Sequence, residues 1–321
     1  MTTPVIRGLK KQLPGVEVHY VTKSSFKSFV ESNPYVDKVH VLEGSLTTLI
    51  QQLRQEDFDL IVDLHKNLRS TLIKLALMKK SSSFSKLNFR KFLYVKFKLD
   101  VMPRVHIVDR YMDTVLHWGV VNDGDGLDYF IPEKDRVELS WLPETHQRGY
   151  VAIAIGGTHY TKRLPAKRLI EICDKIPKPV VLLGGKEDVE VANEIEAFFQ
   201  PTEKSVAIEE QLRNDFGKKT IIFNACGKFN LNQSASLIKQ SDLLFSHDTG
   251  LMHIASAFKK QVYSIWGNTT PELGFYPYQT KFTIFENKNL SCRPCSKIGM
   301  HHCPKGHFKC MNDLKIDFYI P

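Results

Sequence analysis

The stretch from Leu243 to Pro271, LLFSHDTGLMHIASAFKKQVYSIWGNTTP, restricts the possible folds more than any other part of the chain. Leu243-Leu244-Phe245 is an apolar run short enough to be a buried strand. Ser246-His247-Asp248-Thr249-Gly250 follows, a loop with helix N-cap chemistry. Leu251 to Phe258 then reads as a short helix, and Val262 to Trp266 as a second strand ending at Gly267. Strand, loop, helix, strand is a βαβ unit. In open parallel sheets ligands bind beyond the carboxyl ends of the strands. Asp248-Thr249-Gly250 and Gly267-Asn268-Thr269-Thr270-Pro271 would both lie there, side by side. The free N–H groups at the helix start suit a phosphate.

The rest of the chain repeats this alternation. In the first half, helices are expected over Thr3–Lys11, Ser24–Glu31, Leu46–Gln55, Ser70–Met78 and Val105–Trp118. Strands are expected over Val16–Val21, Val36–Leu42 and Leu60–Val62, the last delivering Asp63-Leu64-His65 to a loop. Asp123-Gly124-Asp125-Gly126 and Ile131-Pro132 break the pattern, and 127–148 is polar and weakly periodic. A domain boundary falls there, giving units of 1–135 and 136–321. The second half resumes with strands at Tyr150–Ile155, Pro179–Leu183 and Thr220–Asn224. Helices alternate with them at Pro165–Lys175, Val189–Phe199 and Leu231–Gln240. The expected architecture is α/β, two doubly wound domains facing a cleft. The first half opens on a helix, where a doubly wound domain opens on a strand.

At 321 residues the chain has enough length for two cores, and no apolar run approaches the ~20 residues of a membrane span. The first residues lack the apolar core of a secretory signal, so a cytoplasmic location is expected. A net charge of +9 favours anionic partners. Part of it lies in Lys79 to Lys98, KKSSSFSKLNFRKFLYVKFK, which has no acidic residue and carries Phe84, Phe89, Phe92, Tyr94 and Phe97. Two readings stand: a surface loop and strand with the aromatics turned into the core, or a patch that meets an anionic membrane or a phosphorylated acceptor. Nucleic acid is not expected, because no binding motif accompanies the patch.

Gly156-Gly157-Thr158 ends a strand, with Lys162-Arg163 just before the next helix. The glycines allow close backbone approach, and the cations could neutralise a diphosphate; the plain alternative is a tight turn with solvated bases. Gly184-Gly185 with Asp188 reads as a turn at a helix start. His253, on the first turn of the helix after Gly250, is either a packed ring or a ligand to substrate. Asp63 and His65 sit at a strand end, as proton-transfer groups or as caps. Cys173 and Cys226 read as buried small hydrophobes. Cys292, Cys295, Cys303 and Cys310 form C-x2-C-x7-C-x6-C with His301, His302 and His307 among them. That pattern suits either thiolate ligation of zinc or a Cys-rich loop folded on the cleft rim.

Taken in order, these motifs resemble glycosyltransferase family 9, the heptosyltransferases of lipopolysaccharide core assembly. The resemblance runs from TTPVIRGLKKQLPGVEVHYVTKSSFKSFVESNPYVDKVH through VDLHKNLRS, IGGTHYTKRLP and VVLLGGKEDVEVA to SHDTGLMHIASAFKKQVYSIWGNTTP and CRPC…CPKGHFKCM. It implies a GT-B fold, two Rossmann-like domains with the donor nucleotide held by the second. It implies transfer of a sugar from a nucleotide donor such as ADP-heptose, with inversion, to a lipid-linked sugar at the inner membrane face. Carried over by position, Asp248, Thr249, Gly250 and His253 would hold the donor's diphosphate and sugar, and Thr158 and Lys162 would meet the phosphates. With Lys162 and the helix dipole stabilising the departing diphosphate, no cofactor or divalent metal is required.

The family begins with a strand and a Gly-Asp loop ahead of the TTPV segment, and the resemblance assigns that Asp as general base. This sequence starts at Met1-Thr2-Thr3-Pro4. The expectation is therefore a start that lacks roughly 15 residues, the first strand and the base with them. Asp63 or His65 could substitute only by reaching the acceptor. Two other readings are an epimerase of nucleotide sugars with the same two-domain fold, and a donor-binding protein without catalysis.

Overall fold

The structure is a computed structural model that describes residues 1–200 and 220–320. The first half contains α1 (Thr3–Gln12), β1 (His19–Lys23), β2 (Lys38–Leu42), α2 (Leu46–Arg54), β3 (Leu60–Asp63), α3 (Leu68–Leu77), β4 (Lys80–Ser83), α4 (Asn88–Phe97) and α5 (Ile107–Met112). Its strands pair as two separate parallel ribbons, β1 with β2 and β3 with β4. Among the described residues no strand joins the ribbons into the single sheet expected of a doubly wound unit. The core of this half is built on α1, whose Val5, Ile6 and Leu9 lie on one face against Val18, Met112, Val115 and Val120. Arg7 on the same helix is buried, and its guanidinium is held by Asp123 at 2.6 and 2.7 Å, by Asp128, and by the Gly126 carbonyl at 3.0 Å. The Asp-Gly loop that broke the sequence pattern is thus a clamp on the first helix.

The second half contains β5 (Val151–Ala154), α6 (Ala166–Asp174), β6 (Val180–Leu183), α7 (Val189–Phe199), β7 (Ile222–Asn224), α8 (Leu231–Gln240), β8 (Leu243–His247), α9 (Gly250–Ala257), β9 (Gln261–Trp266), β10 (Phe282–Glu286) and α10 (Lys309–Asn312). Its strands form one six-stranded parallel sheet in the order β10-β9-β8-β5-β6-β7. Side chains alternate across a strand, so each buried run feeds two cores. Val151, Ile153, Val180, Leu182 and Phe245 face α6 and α7, where Leu169, Ile172, Ala192 and Ile195 meet them. Ala152, Ala154, Val181, Leu183 and Leu244 face the other way, against Leu237 and Ile238 of α8 and Met252 and Ala255 of α9.

Three expectations change. Val105–Trp118 is not one helix: α5 stops at Met112, and a 3-10 turn over Leu116–Trp118 closes on Gly119 at φ 80°. The basic stretch is not a loop and strand but β4 followed by the helix α4. Only one β-branched residue, Val95, lies within α4, so the helical period prevails over alternation. Phe84 and Tyr94 are buried while Phe89, Phe92 and Phe97 point outward, so neither simple reading of the aromatics holds for all five. The edge strand β10, FTIFE, was not expected at all. Across the described residues no helix is long and apolar enough to cross a membrane.

Candidate functional site: the crevice between β5 and β8

β5 is hydrogen-bonded to β6 on one side and β8 on the other, so the direction of chain progression reverses between β5 and β8. A crevice opens at such a reversal, beyond the carboxyl ends of the two strands. The loops entering it are Gly156-Gly157-Thr158 from β5 and Asp248-Thr249-Gly250 from β8. The two loops touch. A Cβ on Gly157 would lie 3.2 Å from Thr249 Cγ2, and one on Gly156 would lie 2.1 Å from the Asp188 carboxylate, so both glycines allow a close approach. Asp188 is buried at the start of α7, where it accepts from the Gly185 N–H at 2.8 Å and pairs with Arg163 at 3.4 Å. It acts as the turn-and-helix-start residue its sequence context suggested.

Lys162 reaches across the crevice from a 3-10 turn. Its Nζ donates to Asp248 Oδ2 at 2.7 Å and to the Asp248 carbonyl at 3.2 Å. Thr269, on the loop after β9, donates to the same Oδ2 at 2.9 Å. Among the described hydrogen bonds Asp248 Oδ1 accepts none. Thr249 precedes α9 with its Oγ1 3.3 Å from Ser246 Oγ, and it makes no side-chain cap to the helix. The first N–H groups of α9 are therefore left without that partner. A Cβ on Gly250 would meet nothing within 4 Å, so this helix start faces open space. Thr158 is exposed on the facing loop.

His253 lies one turn into α9. Its Nδ1 is buried without a hydrogen-bond partner. Burial above all, with the charge of Lys162 adding to it, pushes its pKa down to about 3, so the ring is neutral. It can exchange a hydrogen bond with a ligand but cannot supply a positive charge. His247, which sequence reasoning passed over, is fully buried at the end of β8 and accepts the Leu164 N–H at 2.9 Å. Burial lowers its pKa to about 4. It is a bolt between β8 and the loop carrying Lys162.

Asp63 is buried and saturated. It accepts the His65 N–H at 3.0 Å, the Lys66 N–H at 2.6 Å, the Ser70 hydroxyl at 3.0 Å and Lys74 at 3.1 Å. Of its two readings, proton acceptor or cap, this geometry fits the cap. His65 is exposed beside Asn67, 3.2 Å from its amide nitrogen.

The Cys-rich segment folds onto the crevice loops. Buried Arg293 donates to the carbonyls of Gly267 at 2.5 Å and Thr269 at 2.9 Å, and pairs with Glu286 at 3.1 Å. Cys295 N–H donates to the Asn268 carbonyl at 2.9 Å, and Met300 N–H to Thr161 Oγ1 at 2.8 Å. This places the segment against both the β5 and β9 loops. None of its four cysteines is paired in a disulfide, and burial pushes Cys295 up to about 11 and Cys310 up to about 12. Arg293 was hidden from sequence reasoning by the cysteines around it, although a lone arginine inside a C-R-P-C turn is the signal that could have found it.

The crevice thus gathers a lysine, two hydroxyls and a helix start, and comparison with known proteins shows the family of the chain that builds it. Residues 46–304 match glycosyltransferase family 9 (heptosyltransferase). The chain belongs to that family. It is a glycosyltransferase of the heptosyltransferase type. It is similar to lipopolysaccharide heptosyltransferase 1 of Campylobacter coli, 20% identical over 294 residues that cover 83% of this chain and 79% of the relative. Among solved structures, a family 9 glycosyl transferase from Veillonella parvula superposes with a TM-score of 0.68 at 21% identity, covering 93% of this chain and 89% of its own. The E. coli ADP-heptose lps heptosyltransferase II superposes with a TM-score of 0.65 at 18% identity, covering 97% and 93%. These likenesses establish the GT-B fold, with the six-stranded parallel sheet as its continuous half.

Proposed function

We propose that this glycosyltransferase moves a heptose from ADP-heptose, with inversion, onto a lipopolysaccharide core or related lipid-linked sugar. The observation that carries this reading is the convergence of Lys162, Asp248, Thr249 and the α9 N-terminus at the β5–β8 reversal. Residues 136–321 act as the donor unit and 1–135 as the acceptor unit. Charge grows on the diphosphate as the sugar leaves. Lys162 and the α9 dipole stabilise that charge, and Thr158 and Thr249 hydroxyls donate to phosphate oxygens. Asp248 cannot itself bind an anion. It aims Lys162 and Thr269 through Oδ2 and offers Oδ1 to a sugar hydroxyl. Gly250 leaves room for the phosphate, and neutral His253 gives its unpartnered Nδ1 to the donor.

The acceptor side is supported by a cavity of about 240 Å³ at the carboxyl ends of β1 and β2, lined by Lys23, Ser24, Ser25, Gly44 and Arg69. Two cations and two hydroxyls suit an anionic sugar. Beyond it, α3 exposes Leu68, Leu72 and Leu75, and α4 exposes Phe89, Phe92 and Phe97 beside Arg90 and Lys96. An apolar surface interleaved with bases suits peripheral contact with an anionic membrane face, where a lipid-linked acceptor resides. The test is a transfer assay with ADP-heptose on core-lipid acceptors, with the anomeric configuration of the product read by NMR. Inverted product supports the reading. Interconversion of a UDP-sugar without acceptor, or donor binding with no transfer, overturns it.

A further inference from the structure

On the opposite edge of the first half, His19, His40 and Glu56 converge. Among the described residues they are the one group of three His, Cys, Asp or Glu side chains whose ligand atoms all lie within 4.8 Å of one another. His19 Nδ1 is 3.1 Å from His40 Nε2. Glu56 Oε2 is 3.9 Å from His19 Nδ1, and Glu56 Oε1 is 4.0 Å from His40 Nε2. The two imidazole side chains are at most 10% exposed and that of Glu56 is 22% exposed. Phe58 packs edge-on against both rings at 5.2 and 6.2 Å and closes one side.

We propose that His19, His40 and Glu56 bind a divalent transition-metal ion of the zinc class as a structural staple of the β1–β2 ribbon. Two imidazoles and one carboxylate suit zinc, cobalt or nickel. Bonds of about 2.0–2.2 Å place neighbouring ligand atoms roughly 3.3–3.5 Å apart, so the histidines stand at ligand spacing and the carboxylate closes by about half an ångström. The outer nitrogen of His19 faces a second carboxylate, Glu17 Oε2 at 3.6 Å. A carboxylate on the far nitrogen fixes the proton there and turns the other lone pair toward a metal. Three protein ligands leave a fourth position for water.

The location explains why a staple belongs here. His19 is the first residue of β1, at the amino end of the ribbon and away from the carboxyl ends where the cavity lined by Lys23 and Arg69 lies. His40 is on β2, and Glu56 follows α2. One ion would therefore tie the segment after α2 to both strands of a two-stranded ribbon, a unit of marginal stability alone. Lys38 contacts Glu56 and is half-exposed, so it competes with the ion for the carboxylate and can swing into water. The site makes no use of the transfer reaction, and its test reads binding and stability rather than activity.

The test uses the full chain stripped with chelator and titrated with Co²⁺ and Zn²⁺. Occupancy of this site gives weak visible d–d bands, whereas the cysteines would give an intense near-ultraviolet thiolate band. Zinc raises the melting temperature of the wild type. His40→Ala loses one zinc equivalent and that rise. Glu17→Gln weakens zinc roughly 10- to 100-fold. Lys38→Met tightens it, which keeps the proposal testable if His40→Ala fails to fold. Thiolate bands alone, or zinc isotherms unchanged by both Glu17→Gln and Lys38→Met, overturn the site and leave a His–His hydrogen bond in its place.

Discussion

The two halves of this glycosyltransferase solve the same folding problem with different margins. In the second half, β5, β6 and β8 are buried at every position, and both faces of the sheet are covered by helices. In the first half, β1 through β4 are mostly half-exposed, and the four strands stay in two ribbons. The continuous sheet gets its order from apolar area, which is non-directional and cooperative. The ribbons lean on directed contacts: the Arg7 clamp, the saturated Asp63, the cap on α3. A densely packed second half and a more loosely held first half fit the donor and acceptor roles proposed for them.

The sharpest way to break this contrast is to hollow each core. Phe245 is fully buried and stacks on Tyr263 at 4.7 Å and against Phe318 at 4.8 Å. Phe245→Ala should cost about 3–5 kcal/mol. Leu53→Ala on α2, equally buried at 1% exposure, should cost about 2–3 kcal/mol because its half-exposed surroundings collapse more easily. Urea denaturation of both variants measures the difference. Equal costs would remove the distinction between the halves.

The chemistry should divide along the same line. Lys162→Ala removes the charge proposed to meet the departing diphosphate, and kcat/KM should fall about 10²- to 10³-fold with little change in melting temperature. Arg69→Ala, at the cavity in the first half, should raise the acceptor KM about tenfold and leave the donor KM alone, a loss of about 1.4 kcal/mol in ground-state binding. Steady-state kinetics with each substrate varied in turn checks both. A donor effect from Arg69→Ala would show that the halves do not partition the substrates.

The second half was the more legible in sequence for the same physical reason that it is the more stable. Runs such as YVAIAI and PVVLL bounded by Gly-Gly read as buried strands, and the structure places them within a residue or two of expectation. Asp248-Thr249-Gly250 was readable because a strand, an N-cap loop and a helix occur in contiguous sequence. What was not readable depends on chain-distant contacts. Thr269 meets Asp248 across 21 positions, and His247 meets Leu164 across 83. Such pairs leave no local period. In the first half, β4 is KSSS, without an apolar residue, and α4 shows Phe89, Phe92 and Phe97 to solvent and buries Tyr94, so pattern alone misassigned both.

Asp63 is where the first half's reliance on directed contacts can be titrated. Burial pushes its carboxyl up, but the Lys66 and His65 N–H groups, Lys74 and Ser70 together outweigh burial and hold it below the ordinary 3.8. A depressed folded value means the stabilisation is present above pH 3.8 and disappears as pH falls through the folded value. Asp63→Asn keeps the shape and loses the charge. It should destabilise by about 2 kcal/mol at neutral pH, with the gap to wild type closing below about pH 4. Thermal melts from pH 7 down to pH 3 follow this directly. A variant that melts like wild type at pH 7 yet loses transfer would instead make Asp63 the base.

The smallest expected effect compares two matching caps. Asn67 caps α3 by accepting the Ser70 N–H at 2.9 Å while Ser70 Oγ accepts the Asn67 N–H at 2.9 Å. Asn230 caps α8 the same way with Gln233, both bonds at 2.9 Å. The difference lies in the third contact: Asn67 Nδ2 meets the exposed His65 ring at 3.2 Å, whereas Asn230 Nδ2 donates to Asp135 at 2.9 Å, pinning the segment between the halves onto α8. Asn67→Ala should therefore cost about 1 kcal/mol, felt as faster amide exchange confined to α3. Asn230→Ala should cost about 1.5 kcal/mol, with faster exchange in α8 and in the segment around Asp135 together. Exchange confined to α8 in the second variant would mean that the connecting segment is held by Asn232, which donates to the other Asp135 oxygen at 2.8 Å, and that the halves are coupled through that residue instead.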